Sequence, residues 1–283
     1  MKMCCQFALK SISNHTNCKI AMSKFIFQSL ICFYLLGFNL AWSQEKPSSP
    51  ATVITVAAAS DLKFALTEIA ASYEKNSGQK INLLFGSSGI LSTQLLQNAP
   101  FDIFMSADES LVFKLADAGK TQDRGRLYAI GRIGLFIPKG SPLKADGSLK
   151  DLAAALRDGR LKQLAIANPE HAPYGQRARQ ALEHVNLWTD VQAKLVLGEN
   201  VSQAAQFAMS GSAQAGIIAQ SLVLSPTVAD KGQFELIPES WHQPLNQRMV
   251  LLKTAPASAK QFYDYMASAY AKDVLKRYGF GLP

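Results

Sequence analysis

The chain has 283 residues, 48% of them hydrophobic and 18% charged, with a formal net charge of +8. That length supports one large domain or two modest lobes with cores of their own. Four lysines and no acidic residue precede Gln44, leaving 25 basic against 21 acidic residues; this slight excess, without a dense Lys/Arg patch among aromatics, excludes a dedicated nucleic-acid-binding surface.

Residues 1–43 read as a signal peptide. Lys19 and Lys24 flank the start of an uncharged run, FIFQSLICFYLLGFNL, and Ala41 and Ser43 supply small residues for cleavage before Gln44. The run is short for a membrane span, although a retained anchor is the competing reading. A start at Met22 would give a leader of more usual length. Cys4, Cys5, Cys18 and Cys32 all fall in this segment, so the exported chain is expected to lack disulfides, thiolate metal sites and a cysteine nucleophile. Bulky Ile31 argues against lipid anchoring through Cys32. Residues 44–50, QEKPSSP and its surroundings, form a polar linker.

Strand and helix alternate from Thr52 onward. TVITVAAA has the character of a strand; Leu62, Ala65, Leu66, Ile69, Ala70 and Tyr73 then fall on one helical face. INLLF is the next strand, Leu91 and Leu95 open the next helical stripe, and DIFMSA is a third strand before a helix over 111–118. LYAIGRIGLFIPKG is a long extended passage. LKQLAIAN, AKLVLG and AGIIA read as strands separated by helices around Ala178–Val185 and Val201–Ala208. A second extended passage runs from FELIP to QRMVLLK. The end is helical from Ser258, with Phe262, Tyr263, Met266 and Tyr270 on one face.

Repeated strand–helix units predict an α/β fold of mostly parallel sheets covered by helices. Two such blocks joined by two extended passages predict two lobes: 51–131 with 238–283, and 132–237. A cleft would separate them.

Four strand-to-helix corners share a composition: Ala57–Asp61, Gly86–Gly89, Asn168–Gly175 and Gly198–Ser202. Each puts small or flexible residues where a helix begins. Backbone N–H groups without internal partners and the positive end of the helix dipole lie there. Such corners sit at the carboxyl ends of parallel strands, where ligands bind. Converging on one cleft, they would form a donor cage for a small oxyanion. The plainer alternative is that Ser60, and Ser87 or Ser88, merely cap their helices. Lys63 and Arg177, one turn into their helices, read as solvated side chains.

The segments VAAASDL, LLFGSSGILSTQL, APFDIFMSAD, ANPEHAPYG and FYDYMASAYAKDVLKRYGF, in this order, resemble the periplasmic molybdate-binding proteins of ABC transporters. The resemblance spans nearly the whole exported chain. It implies a type II periplasmic binding protein fold, with two lobes hinged about one tetrahedral dianion, molybdate or tungstate. It implies hydroxyl and amide contacts from Ser60 and Ser88, an amide from Val201, and the amide, the phenol or both from Tyr174. Some relatives carry a tyrosine after the GII strand; Ala219 stands there in this chain, and the Tyr174 phenol could compensate. Molybdenum would be held only as its oxyanion, without direct protein ligands, cofactor or catalysis. A membrane permease with its ATPase would be the partner, since this chain has no P-loop motif. A periplasmic monomer is expected.

A cage of donors alone favours anions without a proton, and phosphate needs an acceptor. Asp61 is the candidate acceptor, but it reads as a first-turn acid that faces away from the ligand. Turned inward, it would repel a dianion. Sulfate or another small anion is the alternative ligand. A hydrolase with Ser88 as nucleophile and His171, His184 or His242 as base is the rival from another class, and the G-x-S-x-G elbow it would need is absent.

Overall fold

The computed structural model describes residues 53–283. The expected leader and linker, and all four cysteines, lie outside the described residues. β1 (Ile54–Ala59) is apolar and fully buried over most of its length, as the central position of a parallel sheet demands. A 3-10 turn, Ser60–Leu62, leads into α1 (Lys63–Ser77), which ends where Gly78 adopts φ 71°. β2 (Ile81–Gly86), α2 (Ser88–Leu96), β3 (Ile103–Ser106) and α3 (Glu109–Asp117) repeat the unit. Asp108 caps α3 by accepting the Ser110 amide at 2.9 Å.

β4 (Arg126–Gly131) and β5 (Ile133–Pro138) follow. The long extended passage is thus two strands, and they belong to different sheets: Leu245 of a later strand opposes Gly131, whereas Ile133 opposes Ala219. α4 (Lys150–Arg157) has no counterpart in the sequence reading, because its buried stripe is only Leu152 and Ala155. β6 (Leu164–Ala167), α5 (Pro173–His184), α6 (Trp188–Val191), β7 (Leu195–Gly198), α7 (Val201–Met209), β8 (Ala215–Ala219), α8 (Gln220–Val223) and β9 (Gly232–Leu236) build the second block. β10 (Leu245–Leu251) returns to the first sheet, followed by α9 (Ala257–Tyr265) and α10 (Ala269–Arg277).

The first sheet has the order β2-β1-β3-β10-β4 and the second β7-β6-β8-β5-β9. In each, three parallel strands are followed by two more, each paired antiparallel to the strand before it. The α/β architecture of two helix-flanked sheets read from the sequence holds. The chain crosses between sheets at Arg132 and again between Leu236 and Leu245. The crossings are joined side by side. The Ile237 amide donates to the Ile133 carbonyl at 3.1 Å, and Arg132 Nη1 lies 2.5 Å from Glu239 Oε1.

The C-terminal helix departs from expectation. Ser268 Oγ accepts the Ala271 amide at 3.1 Å, capping a new helix and rotating its phase. Phe262, Tyr263 and Met266 stay buried, while Tyr270 is 40% exposed. Tyr270→Ser is therefore expected to change unfolding free energy by no more than about 0.5 kcal/mol in a denaturant titration.

Candidate functional site

Parallel pairing sets the site. The register Ala59↔Gly86 between β1 and β2 brings the Ser60 and Ser88 corners together. The register Ala167↔Gly198 between β6 and β7 does the same for the corners before α5 and α7. The two pairs face each other across the lobes around a cavity of ≈ 190 Å³, its mouth included. Ser60, Asp61, Ser88, Tyr174 and Val201 all line it. Ala219 does not: it is the buried last residue of β8, opposite Ile133.

Hydrogen-bond accounting shows which groups are unspent. Ser88 Oγ accepts the Ala107 amide at 3.0 Å, and Ser60 Oγ accepts the Ser202 amide at 3.3 Å. Neither hydroxyl caps its own helix, and neither donates to any described residue. Each serine thus has its acceptor side engaged and its O–H left over. The same holds for the backbone. At α7, the Gln203 amide goes to the Asn200 side chain at 3.1 Å and the Ser202 amide to Ser60, leaving the Val201 amide. At α5, Pro173 has no N–H, and the Tyr174 amide has no acceptor among the described residues. At α2, the Gly89 amide donates to the His171 carbonyl at 3.1 Å, leaving the Ser88 amide. The cavity thus gathers two hydroxyl and three amide donors at helix starts, the arrangement that suits an anion. Among the described residues, no lysine or arginine lines it.

The lobes are closed on one another. Ser202 Oγ donates to the Ser60 carbonyl at 2.8 Å, Ser221 Oγ to the Asp61 carbonyl at 2.8 Å, and Ser87 Oγ to the His171 carbonyl at 2.7 Å. A Cβ added to Gly89 would stand 2.3 Å from the His171 carbonyl oxygen. That glycine is needed because another backbone passes too near for any side chain.

Two charged residues correct the sequence reading. Arg177 does not lie on a solvated face. It is 5% exposed, and its Nη2 reaches Asp108 Oδ2 of the other lobe at 2.6 Å. Asp61 is the first-turn acid expected, but its carboxyl is buried between the lobes rather than solvated, and the residue lines the cavity. It is 1% exposed and sits where the lobes meet. Its Oδ2 accepts from the Tyr174 phenol at 2.9 Å and from Gln247 Nε2 at 2.6 Å. Burial, only partly offset by these bonds, raises its pKa to about 6. Burial and the neighbouring Asp61 push the Tyr174 phenol well above its usual range, so it stays a donor. Spent on Asp61, that phenol is unavailable to stand in for a tyrosine at position 219.

Gln247 and Tyr128 were missed by the sequence reading. The Tyr128 phenol donates to Gln247 Oε1 at 2.8 Å, holding the amide toward Asp61. The available signal was Gln247 itself, one polar residue on the β10 face that otherwise carries Leu245, Met249 and Leu251. The histidines do not form a nucleophile–base pair with Ser88. His171 Nδ1 lies 3.0 Å from the hydroxyl oxygen of Ser87, whose proton goes to the His171 carbonyl instead. His184 stacks on Trp241, with ring centroids 4.9 Å apart. His242 Nδ1 lies 2.7 Å from the Gln243 carbonyl. Among the described residues no cluster of three His, Cys, Asp or Glu side chains could hold a metal ion.

The profile of the family described as bacterial extracellular solute-binding protein matches residues 54–281. The molybdate-binding protein ModA of Azotobacter vinelandii is 34% identical over 83% of this chain and 92% of its own length. The protein of the same name from Rhodobacter capsulatus is 32% identical over 83% of this chain and 90% of its own. Among solved structures, the periplasmic molybdate-binding protein of Azotobacter vinelandii superposes with a TM-score of 0.73 at 28% identity, covering 81% of this chain and 99% of that one.

Proposed function

The chain belongs to the bacterial extracellular solute-binding proteins, and we propose that its donor-lined cavity is the place where it holds its solute. It is a solute-binding protein for molybdate that feeds an ABC importer. One observation carries the assignment of the site: five uncharged donors, from Ser60, Ser88, Tyr174 and Val201, are left without acceptors around one small cavity. A hydrogen bond to a charged partner contributes about 1.5–3 kcal/mol. Five of them offset the desolvation of a dianion without a fixed countercharge. Tungstate, the same shape and charge, is expected to bind as well; sulfate, smaller, would leave some donors out of reach.

The molecule acts by binding and release rather than by catalysis. Closure bends the two crossings, at Arg132 and between Leu236 and Leu245, and the closed monomer docks on a membrane permease driven by its ATPase. The leader delivers it to the periplasm. Calorimetry with molybdate, tungstate, sulfate and phosphate tests the ligand; heat from phosphate alone would reject this reading.

Val201→Pro tests the site with little disturbance of the fold. Val201 is the first residue of α7, where proline is favoured; the change removes the amide hydrogen and exchanges a buried isopropyl group for a ring of similar size. Asn200, at φ −145° and ψ 174°, already has the extended backbone that a following proline requires. Affinity for molybdate is expected to fall by about 1.5–3 kcal/mol, roughly 10- to 150-fold, with the melting temperature nearly unchanged. A wild-type titration would mean that this amide does not touch the ligand.

A further inference from the structure

Asp61 is an anomaly in a site for a dianion. The residue lines the donor cavity, its carboxyl group is buried, and among the described residues no cation faces it. The groups packed around it are Tyr174 from α5, Tyr128 from β4 and Gln247 from β10, while Ser221 from α8 holds the Asp61 backbone carbonyl. Ser88 at α2, Ala107 after β3, and Asn200 and Val201 at α7 complete the wall, all uncharged. Lys63, two residues further along its own segment, is exposed. The two carboxyl oxygens are not equivalent. Oδ2 accepts two hydrogen bonds, while Oδ1 has no hydrogen-bond partner.

On the assignment of this cavity to the oxyanion, we infer that Asp61 takes up one proton from solvent when the dianion binds, and that the neutral carboxyl then serves as a sixth donor through Oδ1. The proton goes to Oδ1 because Oδ2 is occupied by the Tyr174 phenol and the Gln247 amide. The bound site then carries two negative charges instead of three. The bonds from Gln247 and Tyr174 and, less strongly, the amides of Asp61 and Leu62 favour the charged form, but burial outweighs them even without a ligand, and the pKa stands at about 6. A dianion beside the group raises it further. The sign of the linkage follows. The closed, bound form holds more protons than the open form, in which an exposed Asp titrates at its ordinary value near 3.8. Closure is therefore favoured fully below that ordinary value and progressively lost as pH rises through the bound-state value.

Asp61 in this state also sets specificity. As a donor it suits anions that carry no proton of their own. As a carboxylate it would instead accept the hydrogen of a monoprotonated phosphate.

The test is titration calorimetry of the exported chain with molybdate near pH 7.5 in buffers of different ionisation heat. The expected result is uptake of nearly one proton per ion bound, with affinity falling close to tenfold per unit between about pH 6.5 and 8.5. In Asp61→Asn the buffer dependence is expected to vanish and the affinity to become flat with pH. The proton count is read on the unaltered protein, so it stands even if that variant folds poorly. Tight molybdate binding with a buffer-independent heat overturns the inference alone. Phosphate binding without proton exchange overturns it as well, since Asp61 would then be the acceptor. No heat from molybdate at all overturns the ligand assignment and this inference with it.

Discussion

Gly89→Ala is expected to lose tight molybdate binding while the chain still folds. The reason is distance. The added methyl would meet the His171 carbonyl oxygen at 2.3 Å, and its three nearest atoms are all His171 backbone, with no flexible side chain to move aside. Gly89 is inside α2, where alanine is the better helix former, so its own lobe gains slightly. The strain arises only between lobes. Held apart, the second lobe withdraws the amides of Tyr174 and Val201 from the cage. Two charge-assisted bonds represent about 3–6 kcal/mol, roughly 10²- to 10⁴-fold in affinity. Calorimetry gives the affinity, and small-angle scattering with molybdate should show no compaction. Wild-type binding by Gly89→Ala would show that the ligand-bound lobes never come this near.

Arg177→Met is expected to have the second-largest effect, also through closure. The Arg177–Asp108 pair joins α5 of one lobe to the cap of α3 in the other at 2.6 Å. Arg177 Nη2 also donates to the Pro244 carbonyl at 3.3 Å, next to the second crossing. Opening the lobes returns both charges to water, where they need no partner. Removing the guanidinium leaves the Asp108 carboxylate poorly solvated in the closed form alone, a cost of about 2–5 kcal/mol against closing. Molybdate affinity should fall accordingly, with thermal stability of the ligand-free chain little changed. Arg177→Met combined with Asp108→Asn should recover part of the loss, because the stranded charge is gone. Equal affinity in Arg177→Met and the unaltered protein would show that the pair does not act as a clasp. The Ser87–His171, Ser202–Ser60 and Ser221–Asp61 contacts would then hold the lobes without it.

Much of the architecture was legible. The alternation from Ile54 to Asp117 shows because each strand is a short apolar run and each helix carries a stripe of apolar residues. α4 escaped because only Leu152 and Ala155 mark its buried face, and α10 changed phase because one serine, Ser268, restarted the helix. The corners were legible for a related reason. Unpaired amides at a helix start are a property of any helix, and small residues beside them show in four or five letters of sequence. Whether Ser60 and Ser88 capped their helices or faced outward did not show. Ser60 is oriented by Ser202, 142 residues away, and Ser88 by Ala107, 19 away.

The sequence by itself determined the elements, their order and the donors at each corner, since these depend on residues within a turn or two of one another. Only the tertiary structure decided the direction of the charged side chains. Asp61 is held by Tyr174 and Gln247, 113 and 186 residues distant, and Arg177 by Asp108, 69 distant. A long polar side chain near a helix start can reach water or the facing lobe with equal local ease. Its choice depends on whether a partner and a low-dielectric surrounding are waiting there, and the folding of the whole chain supplies both.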